Sequence, residues 1–371
     1  MTPTTPGWLD AREGVAAAAS ATARDVAAAL ACAAPGLREL GVLLSPVAEA
    51  ALEALAARAQ ALTRRHFGRT MALYAPLYLS NFCSGGCAYC GFAADRRQPR
   101  RRLERDDMAA ELASLKALEF DDVLLLTGER CPQTDAPYVA DAVALAAASL
   151  STVGVETFAM ESEEYALLVA AGCTAVTLYQ ETYDPECYAA MHRWGPKRDY
   201  DFRLEAPARA LEAGMRFFGL GALLGLANPV EDLLRLYLHA ERLRRTYWRS
   251  GLMVSFPRIC GQRGDFTPAF AVSDRQLAQA ICAFRICMPD TPLVLSTRES
   301  AAFRDGMADI GITRMSAGSR TTVGGYAEGH QETGGQFDVS DTRDVATFCR
   351  MLRARGLDPV FKNWDAAFQP R

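Results

Sequence analysis

The sequence lacks several features that mark common classes of protein. No apolar run approaches the roughly 20 residues that span a bilayer, and the opening MTPTTPGWLDAREG has no apolar core of the kind found in signal peptides. The net charge is only −4, which gives no general attraction to nucleic acid or acidic membranes. We therefore expect a cytoplasmic protein with neither nucleic-acid nor membrane partners.

Signatures of structural zinc and of disulfides are also missing. The four histidines form no pair at ligand spacing, and no second C-x-x-C motif is present, whereas zinc loops usually need two ligand pairs. The eleven cysteines are an odd number, and without an export signal they indicate a reducing compartment. Since half of the 371 residues are hydrophobic, the chain can bury a large core.

One cysteine motif stands out, in the stretch LYLSNFCSGGCAYCGF. Cys83, Cys87 and Cys90 have the spacing C-x3-C-x2-C, and thiolates are soft ligands that select iron–sulfur clusters or zinc. Three thiolates on a cubic [4Fe-4S] cluster leave one iron open, which can chelate the amino and carboxylate groups of S-adenosylmethionine (SAM). Tyr89, the aromatic residue before the last cysteine, would pack over the adenine. The motif predicts a radical-SAM enzyme, with a zinc loop as the alternative.

From about residue 72, short strand-like runs alternate with helical patterns. The eight strand-like runs are Ala75–Leu79, Asp122–Thr127, Val155–Met160, Thr174–Tyr179, Phe217–Leu223, Leu252–Phe256, Leu293–Ser296 and Ile312–Met315. The helical segments between them are Glu104–Leu118, Tyr138–Leu150, Ser162–Ala171, Asp201–Ala213, Val230–Trp248, Asp274–Met288 and Glu299–Asp309. This alternation predicts an α/β fold, a parallel (β/α)8 TIM-type barrel, with functional groups at the C-terminal ends of its strands.

Three regions are expected along the chain. Residues 1–70 form an N-terminal helical extension, with helices predicted over Val15–Cys32 and Pro46–His66. Residues 71–320 form the radical-SAM barrel. Residues 321–371 form a C-terminal tail that packs on the barrel and contains one helix, Val345–Arg355.

Polar residues follow several of the predicted strands. Thr127, Gly128 and Glu129 end the second strand and suit the SAM ammonium, although a plain strand-ending turn also explains them. Glu156 on the third strand can bond ribose hydroxyls or a substrate ammonium. The fourth strand ends in Tyr179–Tyr183, a run of large polar side chains that either need buried partners or form a solvated loop.

Two arginines are candidates for binding carboxylates, because a guanidinium matches a carboxylate bidentately. Arg203 could bind the SAM carboxylate, or form a surface ion pair with Asp201 or Glu205. Arg298, at the end of the seventh strand, is placed to bind an amino-acid carboxylate, or to pair with Glu299. The glycine-rich fifth strand would let a cofactor approach the backbone.

A basic run spans Arg96–Arg105. It could suggest a nucleic-acid site, but no aromatic residues are interleaved with the arginines and the chain is acidic overall. A solvated or partner-facing loop is the preferred interpretation.

Taken together, these stretches and others closely resemble the 2-iminoacetate synthases, the tyrosine lyases of thiazole (thiamine) biosynthesis. The resemblance extends from about residue 35 to the end. It includes LLLTGE, LYQETY, GPKRDYDFRLEAPARA, GLGALLGL, LSTRES, SAGSRTTVGGY and QFDVSDTRDV. This family belongs with the radical-SAM aromatic amino acid lyases, which have a (β/α)8 barrel.

The resemblance implies roles for particular residues. Cys83, Cys87 and Cys90 would hold the [4Fe-4S] cluster. SAM would be contacted by Thr127, Gly128, Glu129, Glu156 and Arg203, with Tyr89 over its adenine. Tyr78 would lie near the substrate amine, and Arg298, helped by Ser316, would bind the substrate carboxylate.

It also implies a reaction and partners. The expected reaction cleaves the Cα–Cβ bond of L-tyrosine to 2-iminoacetate (dehydroglycine) and p-cresol, with a flavodoxin- or ferredoxin-type electron donor and a thiazole synthase as protein partners. The same chemistry on tryptophan or another aromatic amino acid is the alternative. A non-catalytic scaffold is disfavoured by the intact cysteines, the Thr127–Glu129 motif and Arg298.

Overall fold

The computed structural model describes residues 5–259, 266–327 and 335–362. Cys260, one of the eleven cysteines, and His330, one of the four histidines, lie outside these ranges. So does the end of the C-terminal tail, from residue 363 onward.

Parallel strands form one sheet in the described part of the chain. They are β1 (Thr70–Tyr78), β2 (Asp122–Leu126), β3 (Thr152–Glu156), β4 (Ala175–Thr177), β5 (Phe217–Gly221), β6 (Gly251–Ser255), β7 (Leu293–Leu295), β8 (Arg314–Ser316) and β9 (Asp358–Val360). The strands β2 to β8 follow one another in chain order, and β1 pairs with both β8 and β2. The sheet therefore closes, and the predicted eight-stranded parallel barrel is confirmed.

The ninth strand was not predicted. β9 pairs in parallel with the first residues of β1, with Thr70 opposite Asp358 and Ala72 opposite Val360. It contains Pro359, which lacks a backbone N–H and is therefore tolerated only where one side of a strand is unpaired. The C-terminal region thus returns to the strand at which the barrel begins.

Helices surround the sheet. They are α1 (Arg12–Ser20), α2 (Ala23–Ala31), α3 (Leu37–Leu43), α4 (Pro46–Ala50), α5 (Leu52–Phe67), α6 (Arg105–Ala117), α7 (Ala136–Ala147), α8 (Ser162–Ala170), α9 (Pro185–Met191), α10 (Tyr200–Leu204), α11 (Ala206–Glu212), α12 (Pro229–Thr246), α13 (Asp274–Cys287), α14 (Ala301–Ala308) and α15 (Val345–Ala354). Both helices predicted before residue 70 are broken in two. Thr22 caps α2 by accepting a hydrogen bond from Asp25 N, and Ala51 separates α4 from α5.

Several strands are shorter than predicted, or displaced. The third strand was predicted over Val155–Met160, but β3 spans Thr152–Glu156 and ends at Glu156. Phe158 and Met160 are fully buried in the loop that follows. Their hydrophobicity reflects packing of this loop on the core, which an apolar run cannot distinguish from a strand.

An ion pair fills the barrel interior near the start of its strands. Arg314 of β8 donates two hydrogen bonds to Asp122 of β2, at 2.6 and 2.8 Å, and its guanidinium lies over the Tyr74 ring at 4.6 Å. These large side chains occupy the N-terminal half of the barrel. Open space remains at the opposite mouth, where the strands end.

A segment following β8 lies across that mouth. We call residues 335–344 the strap. The backbone N–H groups of Ser340 and Asp341 donate to Thr297 O, at 3.0 and 3.2 Å. The buried Asp341 carboxylate is paired with both Arg304 and Arg343. These contacts fix the strap beside the end of β7.

The loop after β4 is fixed by hydrogen bonds to Asp232 of α12. Asp232 Oδ1 accepts hydrogen bonds from Thr182 Oγ1 at 3.0 Å and from Tyr183 N at 2.7 Å. Its other oxygen has no hydrogen-bond partner in the described part of the chain, and the residue is fully buried. Burial raises the pKa of Asp232 to about 7, so the neutral acid predominates in mildly acidic solution.

This raised pKa predicts a specific pH dependence of stability. When the pKa of a carboxyl group is higher in the folded state, its contribution to stability is complete below its ordinary pKa of 3.8. That contribution is lost as the pH rises through the folded-state pKa of about 7. We expect Asp232→Asn to remove this loss. Relative to the wild type, the free energy of unfolding of the variant should improve by on the order of 1–4 kcal/mol between pH 4 and pH 7.5, measured by urea denaturation.

The exposed Asp141 of α7 provides a matched control, since Asp141→Asn should leave the wild-type pH profile unchanged. Parallel profiles for the wild type and Asp232→Asn would contradict the assignment.

Candidate active site

The three motif cysteines lie in the loop that follows β1, at the mouth of the barrel. All three line the same cavity. The wall of this cavity also contains the polar residues Thr127, Glu129, Glu156, Glu181, Lys197, Arg203 and Gln336. The ends of β1, β2, β3 and β4 therefore contribute to one site.

The cysteine sulfurs receive hydrogen bonds from backbone N–H groups. Gly85 N and Glu129 N each donate to Cys83 Sγ at 3.3 Å, and Phe92 N donates to Cys90 Sγ at 3.4 Å. Such hydrogen bonds to sulfur are a usual feature of iron–sulfur ligation and tune the cluster potential. In the part of the chain that the structure describes, no three His, Cys, Asp or Glu side chains converge as ligands of a single metal ion.

The pKa values of two cysteine thiols show under which condition they become thiolate ligands. Burial, reinforced by the neighbouring Cys90, raises the pKa of Cys83 to about 11. Burial also raises the pKa of Cys87 to about 12. The thiols are therefore neutral on their own, and a cationic group bound among them would stabilise the thiolates. An all-sulfur donor set in a buried cavity fits an iron–sulfur cluster.

The Thr-Gly-Glu turn after β2 packs directly on the cysteine loop. A Cβ atom added to Gly128 would lie 2.3 Å from Phe82 O and 2.8 Å from Cys83 Cβ. Only glycine fits there, so the turn and the loop are matched in shape. This close packing is what brings Thr127 and Glu129 into the wall of the cavity.

A buried ion cluster lies opposite this turn. Glu181 Oε1 accepts hydrogen bonds from Lys197 Nζ at 2.6 Å and from Arg203 Nη2 at 3.4 Å. Burial would raise the pKa of Glu181, but the two cations outweigh it and hold the pKa below its ordinary value. Arg203 Nε also donates to Tyr179 O at 2.8 Å. Arg203 is therefore a buried cavity residue, and the alternative of a surface ion pair with Asp201 or Glu205 is wrong.

Glu181 adopts an unusual backbone conformation, with φ of 69°. Left-handed φ values are costly for residues other than glycine, and they persist where the surrounding structure enforces them. Here the two hydrogen bonds from Lys197 and Arg203 hold the carboxylate toward the cavity. The sequence analysis noted the polar run Tyr179–Tyr183 but did not identify Lys197 as its partner.

Glu156 faces the same cavity in a different electrostatic environment. Burial and the charge of Glu181 raise the pKa of Glu156 to about 7, against the opposing effects of Arg298, Lys197 and Arg203. Within the described residues, no donor forms a hydrogen bond to its carboxylate. Glu156 is thus a carboxyl group without a protein partner at the mouth, as expected of a group that binds a ligand.

Tyr89 is fixed by His192, to which the sequence analysis assigned no role. Tyr89 Oη and His192 Nε2 are 2.8 Å apart, and His192 Nδ1 lies 2.8 Å from Tyr188 O. Since a carbonyl can only accept, Nδ1 carries the proton and Nε2 accepts from the tyrosine. Burial lowers the pKa of His192 to about 3, so the ring stays neutral. It therefore fixes the orientation of Tyr89 within the cysteine loop.

The glycines of β5 have a packing role. A Cβ atom added to Gly221 would lie 2.6 Å from the Tyr179 ring, and one added to Gly219 would lie 2.7 Å from Thr177 Oγ1. The space left by these glycines is therefore filled by side chains of β4 and its loop. The expectation that it admits a cofactor is wrong at these two positions.

Tyr78 and Arg298 lie under the strap, beside the main cavity. Tyr78 Oη donates to Gln336 Oε1 at 2.8 Å. The Arg298 guanidinium lies 3.8 Å from the Phe337 ring centroid, and Arg298 lines a small cavity that adjoins the main one at Tyr179. Sequence reasoning missed Gln336 and Phe337 as site residues, although both lie in the family-like stretch QFDVSDTRDV.

Ser316 and Glu299 lie behind Arg298. Ser316 is fully buried, and its hydroxyl accepts a hydrogen bond from Thr297 N at 3.1 Å. Glu299 is bound by Arg258, which donates to it at 2.5 Å. Arg258 therefore already occupies the Glu299 carboxylate that the sequence analysis considered as an ion-pair partner for Arg298. Ser316 supports the Arg298 loop from within the barrel and lies outside the wall of the main cavity.

None of the described helices is long and apolar enough to span a membrane.

Comparison with known proteins places this geometry in a family. Residues 77–238 match the Radical SAM superfamily, and residues 255–358 match the biotin and thiamin synthesis associated domain. Enzymes of this superfamily use a [4Fe-4S] cluster and SAM. In solved structures, the fold resembles that of HydG, a maturase of the [FeFe]-hydrogenase, with a TM-score of 0.91 and 29% identity, covering 98% of this chain and 82% of that chain.

Curated relatives are more specific. The 2-iminoacetate synthase of Escherichia coli K12 is 41% identical over 346 residues, which cover 93% of this chain and 92% of the relative. The 3-methylornithine synthase of Methanosarcina acetivorans is 27% identical over about half of each chain. With that degree of identity over nearly the full length of both chains, the chain belongs to the 2-iminoacetate synthase family of radical-SAM lyases.

Proposed function

We propose that the chain cleaves the Cα–Cβ bond of L-tyrosine to 2-iminoacetate and p-cresol, in the cytoplasm and for thiazole formation in thiamine biosynthesis. The observation that carries this proposal is the single cavity shared by the three cysteines, the Thr127–Glu129 turn, Glu156 and the Glu181–Lys197–Arg203 ion cluster. The 41% identity to 2-iminoacetate synthase over almost the whole chain supports tyrosine as the substrate.

Cys83, Cys87 and Cys90 would hold the cluster through their sulfurs. When bound, the cluster and SAM together supply the radical that removes a hydrogen atom from the substrate. The protein's part is to bind, orient and exclude water. The burial of the cysteine loop under the Gly128 turn serves that exclusion.

The SAM side of the cavity offers both signs of charge. Thr127, Glu129 and Glu156 present oxygen acceptors suited to an ammonium group and to ribose hydroxyls. Arg203, with Lys197 beside it, presents cationic donors suited to the methionine carboxylate. Tyr89, held by its hydrogen bond to His192, would pack over the adenine.

The substrate side lies under the strap. Arg298 would bind the tyrosine carboxylate, with Ser316 supporting the Arg298 loop from behind. Tyr78, hydrogen-bonded to Gln336, would face the substrate amine. Holding the amine and carboxylate in one geometry is worth several kcal/mol of the barrier when the reacting atoms are well aligned.

Two protein partners complete the proposal. A flavodoxin- or ferredoxin-type protein would deliver the electron. A thiazole synthase would take the product directly, because 2-iminoacetate hydrolyses readily in water.

Anaerobic turnover tests the substrate assignment. The reconstituted enzyme, incubated with SAM, dithionite and either L-tyrosine or L-tryptophan, is expected to form p-cresol and 5′-deoxyadenosine with tyrosine only. Liquid chromatography with mass detection measures both products. Deoxyadenosine formation that depends on tryptophan and not on tyrosine would favour the alternative lyase, and no SAM cleavage in a fully iron-loaded sample would favour a non-catalytic scaffold.

The ligand assignment predicts a loss of iron in a cysteine variant. In Cys87→Ala one of the three thiolates is missing, so we expect iron content and visible absorbance after anaerobic reconstitution to fall at least several-fold, with the circular dichroism of the barrel retained. Cys131→Ser is the control, because Cys131 lies outside the motif and bonds to Thr134. Equal iron loading in Cys87→Ala and the control would refute the assignment.

A substitution at Arg298 separates substrate binding from SAM binding. Arg298→Lys keeps the charge but loses the planar group that stacks on Phe337 and pairs bidentately with carboxylates. We expect the KM for tyrosine to rise by roughly tenfold or more, while the KM for SAM stays within about twofold. Equal increases in both constants would indicate that Arg298 only supports the fold of the mouth.

A further inference from the structure

Two arginine-rich segments contact the cysteine loop from outside the barrel. We call residues 91–102 the first arm and residues 191–198 the second arm. The first arm holds five arginines and one aspartate, and the second holds two arginines and one lysine but no carboxylate. Because the whole chain has a net charge of −4, positive charge is concentrated here.

The second arm pairs with the cysteine loop through its backbone. Gly86 N donates to Trp194 O at 3.0 Å, and Ala88 N donates to Met191 O at 2.9 Å. Gly86 and Ala88 flank Cys87 on either side. The second arm is therefore in direct contact with the backbone that presents this sulfur.

The first arm contacts the same loop from another direction. Ala94 N donates to Gly85 O at 2.8 Å, and the Arg96 guanidinium donates to Ala88 O at 2.9 Å. The two arms thus both lie against the cysteine loop.

Part of the positive charge in the arms is neutralised by carboxylates outside them: Arg101 pairs with Asp107, Arg102 with Glu104 and Lys197 with Glu181. Arg100 donates four hydrogen bonds, all to backbone carbonyls, which satisfy its donors but carry no net charge. Arg97 and Arg198 are exposed and form no ion pair with the described residues. Arg193 pairs with Asp95, the single carboxylate of the arms, at 2.7 Å. The positive charges of Arg97 and Arg198 therefore face solvent without a carboxylate partner among the described residues.

An exposed aromatic residue lies within this cationic surface. Trp194 is 40% exposed, and the Arg193 guanidinium lies over its ring at 4.5 Å. A Cβ atom added to Gly86 would lie 2.3 Å from that ring, so the ring packs directly on the cysteine loop. An exposed tryptophan stacked with an arginine is a combination of residue types enriched at protein–protein contact sites.

We propose that the two arms form the docking surface for an acidic protein that donates single electrons. This inference rests on the proposed function, which requires an external electron. One electron leaves the donor and enters the cluster, with no bond made or broken and no proton transferred. The arms are in hydrogen-bond contact with the cysteine loop, and their exposed positive charge would attract an acidic partner and orient it on encounter.

A nucleic acid would also be attracted to cations, but the arms are poorly suited to it. Single-stranded nucleic acids are bound through aromatic residues that stack successive bases, and Trp194 is the one exposed tryptophan of the arms. A surface that binds RNA and not an acidic protein is the rival that the test below must exclude.

Charge reversal tests the docking surface by binding as well as by activity. An acidic bacterial flavodoxin is the probe, and its Kd for the immobilised holoenzyme is measured by biolayer interferometry at about 50 and 300 mM salt. We expect Arg97→Glu combined with Arg198→Glu to raise the Kd roughly tenfold at the lower salt. Tyrosine cleavage driven by flavodoxin should fall in parallel, and cleavage driven by dithionite should be unchanged.

Arg65 and Arg69 provide the matched control. Both are exposed and lie just before β1, at the opposite end of the barrel from the cysteine loop. Arg65→Glu combined with Arg69→Glu should leave the Kd at the wild-type value. Equal Kd values for all three proteins, or equal weakening in both double variants, would overturn the proposal. So would loss of RNA binding in the arm variant while flavodoxin binding is retained.

The two proposals fail in distinguishable ways. If dithionite supports no tyrosine cleavage in the wild type, the proposed function fails, whereas the flavodoxin Kd still tests the docking surface.

Discussion

The site depends on the closure of the sheet through β1. This strand pairs with β2 over residues 75–78 and with β8 over residues 72–74. The hydrogen bonds on both sides fix the direction in which the chain leaves the barrel at Tyr78. The cysteine loop begins there, so its position relative to the Thr127–Glu129 turn and to the strap is set by this pairing. An open sheet would leave these groups at separate edges.

Charge balance is the second constraint on the mouth. The buried Glu181 would be costly alone, and Lys197 and Arg203 offset that cost through hydrogen bonds of 2.6 and 3.4 Å. Glu156 has no such partner among the described residues, and burial raises its pKa to about 7. Two carboxyl groups at neighbouring strand ends thus have opposite pKa shifts. This difference suits one of them to organise cations and the other to receive a ligand.

The fold and the core of the site could be predicted because their signals are local. The spacing of Cys83, Cys87 and Cys90 is contained in eight residues, and the alternation of strands and helices repeats along the chain. Strand ends were less accurate, as at β3, because Phe158 and Met160 are buried in a loop. The break at Ala51 and the short strand β9 carry no strong periodicity.

The remaining site residues depend on contacts between distant parts of the chain. Lys197 is sixteen positions from Glu181, and Gln336 is more than 250 positions from Tyr78. Neither pairing leaves a pattern in the local sequence. Resemblance to a known family drew attention to the stretches that contain them, but only the fold shows which side chains meet. The same applies to the backbone contacts between the two arms and the cysteine loop.

The path of the C-terminal region has a consequence for assembly of the enzyme. The strap and β9 both follow the eight barrel strands in the sequence, so both are synthesised after those strands. The cysteine loop, which precedes seven of those strands, is therefore made long before residues 335–344, which lie across the mouth that it lines. A chain that ended before residue 335 would thus retain all eight barrel strands and the cysteine loop but lack the segment that lies across the mouth.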